Sequence, residues 1–251
     1  MHMSILKSLG KLAFEAAKSE ISNRAKKVRL ASEAVPITQD NMYSLKVGDF
    51  VRDTSAKQFY MVLRPKTTYD DGILAILQTS SIEWYYRLEY DPYLGDLARD
   101  WSEDPEKCRD KTGADSKVNG EVNTENIIKH QQTLELEKAK HNAFTCGPAP
   151  IHYFPVIDLI KESGNNCYLP AIGELYDIFS DKTILNKLLE LLSHFGHELD
   201  DNIYIWSSTE NTNYPCYGEE AFSVLFSQQS AAVVQSRLKS QKAYVIPFKK
   251  F

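Results

Sequence analysis

The sequence has no apolar run near the ~18 residues that a membrane-crossing helix needs, which excludes a transmembrane helix. Cysteine is scarce: Cys108, Cys146, Cys167 and Cys216 stand far apart, and no C-x-x-C occurs. That excludes a zinc ribbon and a thioredoxin-type site. Isolated thiols in a chain of this length are more often free and buried than paired, and one disulfide stays open as an alternative. The phosphate-cradling patterns G-x-x-x-x-G-K and G-x-G-x-x-G are missing, as is H-E-x-x-H. With 43% hydrophobic and 25% charged residues, collagen-like, coiled-coil and wholly disordered chains are also excluded. What the chain does have is aromatics, Tyr 14, Phe 11 and Trp 3, on 251 residues, enough for one large domain or two small ones.

Charge is unevenly spread. The formal charge of −5 divides into +5 on residues 1–30, from seven Lys/Arg and two Glu, and −10 on the rest. Ile5, Leu9, Leu12 and Ala16 recur at helical spacing, so the pattern predicts a basic amphipathic helix over about residues 4–27. Lys7 and Lys11 interrupt any signal-peptide core, so no leader is read and synthesis is expected in the cytoplasm. The helix could meet a membrane surface or a partner helix. Packing on its own domain or on a sister subunit is favoured, because the apolar face is modest. We therefore divide the chain into a helix and linker, 1–43, and a domain, 44–251.

From Ser44 short β-rich runs follow, at 47–52, 58–63 and 73–77, with Asp71-Gly72 as a hairpin signal. Residues 89–106 carry seven acidic residues against Arg99 alone. They lack the spacing and terminal Glu of a calcium loop, so a solvated loop insertion over about 89–122 is expected. Thr124 is placed to cap a helix running to about Lys140. Further helices are predicted from near Pro150 to Gly164, after Leu169-Pro170, and from an opening Ser180-Asp-Lys-Thr183 to Gly196. Strands return at 203–206, 221–226, 231–235 and 243–248. Strands, then helices, then strands predict an α+β fold.

Candidate chemistry is thin. His194 and His197 with Glu198, Asp200 and Asp201 match metal-ligand spacing loosely, and Gly196 breaks the helix between them. Cys146 and His152 are close in sequence, but Cys-His catalysis needs spatial pairing and an orienting third group. No cofactor or metal is expected. The acidic body lacks the basic footprint of nucleic-acid binding.

The C-terminal half resembles a family. Cys167-Tyr-Leu-Pro-Ala-Ile-Gly-Glu-Leu175, Ile205-Trp-Ser-Ser-Thr-Glu210 and the ending Val245-Ile-Pro-Phe-Lys-Lys-Phe251 are similar to a bacterial and phage C-type-lectin-like family. Its members carry W-Y-L-P-S-x-x-E-L, W-S-S-T-E and a terminal V-R-P-V strand. Asn123-Thr124 and Ala143-Phe-x-Cys146 fit its N-T and A-x-x-C stretches. The similarity spans about 120–251 and is weak over 45–119. Cys167 stands where the family has Trp, Ala171 where it has Ser, and Ile246 and Lys249 depart from the terminal motif. The resemblance implies a C-type-lectin-like fold with a small twisted antiparallel sheet. It implies no calcium-bridged sugar site, since the E-P-N and Q-P-D triplets are absent, and Cys216 alone cannot supply the cysteine pair of sulfatase-activating relatives.

The resemblance also implies where a ligand would bind. Related retroelement-diversified variable proteins, a phage tropism determinant among them, present ligands with the segment after W-S-S-T-E. Here that is Asn211, Asn213, Tyr214 and Tyr217, then Gln228 and Gln229, then Gln235 and Arg237. Tyr and Asn on loops are also what paratopes use, and equally they are turn formers. The expected function is non-catalytic recognition of a protein or glycan, as in adhesins. The alternatives are a structural component of a phage or surface appendage, oligomerising through residues 4–27, and a cysteine-dependent enzyme on the same scaffold. Trp206 is expected in the core.

Overall fold

The computed structural model describes residues 32–53, 58–90, 97–99, 111–144, 151–197, 202–213, 219–227 and 232–251. The basic N-terminal segment predicted as a helix lies outside them, as do Cys108, Cys146 and Cys216. No helix among the described residues is long and apolar enough to cross a membrane.

Three sheets are present among these residues. The first begins with β1 (Val35–Pro36), β2 (Phe50–Asp53), β3 (Gln58–Arg64) and β4 (Ile73–Ile76). β3 and β4 form the antiparallel hairpin that Asp71-Gly72 predicts. β1 runs parallel to β2, so the sheet takes in residues that the sequence places with the N-terminal helix and linker. β9 (Cys167–Tyr168) and β14 (Phe248–Lys250) complete the order β1-β2-β3-β4-β14-β9. Buried residues in β3 and β4 face both ways, which is why these strands read as unbroken apolar runs rather than alternating ones. Met61, Ile73 and Ala75 enter one cluster; Tyr60, Val62, Leu74 and Ile76 enter another.

The second sheet joins β5 (Ser80–Glu83), β10 (Asn202–Asn211), β11 (Glu220–Ser227), β12 (Val233–Leu238) and β13 (Lys242–Val245), in the order β12-β11-β10-β13-β5. The predicted run 243–248 is broken at Ile246-Pro247, because proline cannot donate to a ladder. Its two halves, β13 and β14, enter different sheets.

The insertion expected as a solvated loop is partly ordered. β6 (Tyr86–Tyr90), β7 (Leu97–Arg99) and β8 (Ile151–Tyr153) make a third, antiparallel sheet. Thr112 and Ala114, read as exposed loop, are buried. Their partners lie about a hundred residues away, beyond the reach of a local pattern.

Four helices are described: α1 (Gly120–Phe144), α2 (Pro155–Glu162), α3 (Ile172–Phe179) and α4 (Lys182–His194). Two helix starts differ from expectation. Thr124 lies inside α1 rather than at its cap, and its hydroxyl donates back to the Gly120 carbonyl. Pro155, not Pro150, opens α2, where its missing N–H costs nothing. Asp181, within the stretch expected to open α4, caps it, accepting from the Thr183 N–H at 2.8 Å. Gly164 and Gly196, at φ +106° and +86°, follow α2 and α4 in the left-handed region. Leu185, Leu188, Leu191 and Leu192 line one face of α4. With Leu175 and Phe179 of α3 they form the cluster between the first two sheets. The order of elements and the mixed sheets make the chain α+β.

Candidate functional site

The segment that carries the resemblance is tied by many hydrogen bonds to distant parts of the chain. β10 bulges between Trp206 and Glu210, and from Trp206 to Asn211 every residue is buried. Buried polar groups need partners, and here the other motif stretches supply them. The Thr209 hydroxyl accepts from the Ile172 N–H at 3.0 Å and donates to the Ser116 carbonyl at 2.8 Å. The Asn123 amide donates to Ser208 Oγ at 3.0 Å and to the Ser116 carbonyl at 2.7 Å. Ser208 N–H reaches the Pro170 carbonyl at 2.8 Å. Thr124 Oγ1 accepts from the Leu169 N–H at 2.9 Å. Asn123-Thr124, Leu169–Leu175 and Ser207–Glu210 are therefore one hydrogen-bonded unit.

Two carboxylates complete it. Ala171 offers no capping hydroxyl to α3, and Glu174 reaches back instead. Its Oε2 accepts from Ala171 N–H at 2.8 Å and Gly120 N–H at 3.0 Å. Burial pushes Glu174 above its ordinary carboxylate range, with these bonds opposing the shift. Glu210 is fully buried and forms an ion pair with Lys239, whose side chain is 4% exposed. The same carboxylate accepts from the Thr112 N–H at 3.0 Å. Lys239 Nζ lies 4.5 Å over the Trp84 ring. Trp206 is a core residue, its indole N–H donating to the Ile82 carbonyl at 3.0 Å. All of this fixes backbone. None of it faces a ligand.

The expected binding residues divide. Tyr214, Tyr217, Gln228 and Gln229 lie outside the described residues. Asn213 is exposed. Asn211 is not presented as expected: it is 7% exposed, and its amide is spent on Ser236 Oγ at 2.9 Å and Glu220 Oε2 at 3.3 Å. It faces the opposite side of the sheet from Gln235 and Arg237, as the register shows. Asn211 pairs with Glu220, and Glu220 with Leu238. Gln235 and Arg237 pair with Ser223 and Ala221.

Gln235 and Arg237 are half-buried and share a face with Tyr204 of β10. Ala221 and Ser223 are small, which lets Arg237 lie flat across β11. Its guanidinium carbon stands 3.8 Å from the Tyr204 ring centroid, and Nη2 donates to the Lys242 carbonyl at 3.4 Å. Leu225 and the exposed Val233 flank this pair on the same face. Sequence reasoning missed Tyr204, because Ile203-Tyr-Ile-Trp206 reads as one apolar run. Alternation gives no signal for it either, since it places Tyr204 on the same face as the buried Trp206.

The enzyme candidates gain little. Cys167 is half-buried, its thiol donating to the Ser163 carbonyl at 3.3 Å. Burial raises it above the usual thiol range, with Lys249 pulling the other way. His194 ends α4, while Glu198, Asp200 and Asp201 lie outside the described residues. Among the described residues no three His, Cys, Asp or Glu side chains gather as metal ligands would. No family model matches the chain, and no curated protein and no solved structure matches it either.

Proposed function

We propose that the protein is a non-catalytic recognition module of C-type-lectin-like architecture, which binds a protein or glycan through the sheet face and loops that follow Trp206. One observation supports this reading above the others. The motif residues are spent on contacts inside the frame, while Asn213 just beyond them is exposed and the half-exposed Tyr204–Arg237–Gln235 face lies on the same sheet. A rigid frame with polar and aromatic side chains beside it suits recognition, because ordering such a surface costs little on binding. A thiol raised by burial argues against Cys167 as a nucleophile. Tyr214, Tyr217, Gln228 and Gln229, which lie outside the described residues, are proposed as further ligand contacts.

Binding of the intact chain to arrays of cell-surface proteins and of glycans tests the proposal, with Asn213→Ala and Gln235→Ala alongside. The expected result is a ligand whose binding weakens at least tenfold in a variant of unchanged Tm, since substitutions at such surface positions shift stability by only about 0.5 kcal/mol. An array with no ligand, or one indifferent to both substitutions, overturns it.

A further inference from the structure

The Tyr204–Arg237 pair has a feature that general recognition does not require. A guanidinium carries five donors, yet the seat of Arg237 answers it with a π face and one carbonyl at 3.4 Å. Its Nε is buried without a hydrogen-bond partner. On the same face, one strand away, the hydroxyl of the fully buried Ser223 is also without a partner. No described carboxylate pairs with Arg237: Glu210 is held by Lys239, and Glu220 faces the other side with Ser236 and Asn211. The loops that connect β10 to β11 and β11 to β12 contain no Asp or Glu between residues 212 and 218 or between 228 and 232, and Glu219, next to β11, makes no ion pair with Arg237 among the described residues. A cation is therefore parked on a half-buried face with its fork unused.

Deepening the reading above, and resting on it, we infer that Arg237 is the anchor for an acidic side chain of a protein ligand. The carboxylate approaches the outward Nη edge and takes the bidentate geometry for which Arg is suited. Tyr204 holds the guanidinium plane against tumbling, so less freedom is lost on binding. A protein ligand is favoured over an acidic sugar because the neighbours are Leu225, Val233 and an aromatic ring. Tyr and Arg amid apolar contacts are the composition of protein hot spots.

The test follows the backbone N–H resonance of Tyr204, present in the parent and in every variant, in the full chain during titration with N-acetyl-glutamate N-methylamide, with the glutamine analogue and glucuronate as comparisons. One charge-assisted pair should give saturable binding in the millimolar range. The expected result is a saturating shift with the glutamate probe, none with the glutamine probe, and affinity about tenfold lower in Arg237→Lys, which keeps the charge and loses the fork. No shift with the glutamate probe, or equal binding by Arg237→Ala, overturns the inference. Tighter binding of glucuronate overturns the peptide assignment. An array ligand lost in Gln235→Ala but unaffected in Arg237→Lys leaves recognition standing and removes the anchor. Because the resonance is read without a natural ligand, an empty array removes the recognition reading alone.

Discussion

Replacing Lys239 with Met takes the cation away from Glu210 while keeping most of the side chain over Trp84. The pair is among the least exposed ionic contacts described: Glu210 is fully buried and Lys239 nearly so. Exposed ion pairs are worth little, but leaving one buried charge alone costs about 3–5 kcal/mol. For a chain of this size that is about 6–20 °C in Tm. The partner substitution makes the logic sharper. Glu210→Gln keeps an acceptor for the Thr112 N–H, 3.0 Å away, while removing the charge. Glu210→Gln with Lys239→Met should therefore recover most of the loss, ending within about 1–2 kcal/mol of the parent, because a neutral pair no longer incurs desolvation of a lone ion. Denaturant unfolding of the four proteins gives the coupling energy directly. A single variant losing less than about 1 kcal/mol, or a double variant worse than Lys239→Met, would refute the reasoning.

Two other expectations concern stability. Burial raises Glu174, so the folded chain keeps a proton that the unfolded chain has already lost, and stability falls as pH rises from the ordinary value of 4.5 through that window. Tm measured from pH 4 to 7 should show this slope flattened in Glu174→Gln, whereas Glu174→Ala orphans two backbone N–H groups at about 1–3 kcal/mol each. At Gly72, an added Cβ would fall 2.2 Å from the Phe251 ring and 2.9 Å from the Lys66 backbone nitrogen. Gly72→Ala should cost about 1–3 kcal/mol by overpacking, and calorimetry showing no loss would mean that Phe251 swings away freely.

What was legible in the sequence was what is local. Asp181 caps α4 because its partner is two residues away, and the leucine spacing of α4 follows from its own turns. Gly196 and Gly164 end helices where only backbone freedom matters. The α+β class followed from the order of such elements. What was not legible depended on distant partners. Ser207–Thr209 would look like a polar surface strand, and are buried only because residues 116, 123 and 172 arrive from elsewhere in the chain. Thr112 was taken for loop for the same reason. The candidate site was split likewise. Gln235 and Arg237 lie on a usable face, but Asn211, two residues from exposed Asn213, turned inward once the bulge in β10 shifted its register. Tyr204 was hidden inside an apolar run.

The break at Pro247 also bears on how the molecule is made. β13 lies between β10 and β5, and β14 between β4 and β9. Both are interior strands, and both come after all their neighbours in sequence. Until β13 and β14 leave the ribosome, β5 has no neighbour among the described strands of its sheet and β9 none in its own, so neither layer can close before them. The early hairpins must wait with their edges open, and the closing step joins segments far apart in sequence, the slow kind of contact to form. A nascent chain stalled short of Lys242 would thus display unpaired β edges, the surface that chaperones hold and that aggregates grow from.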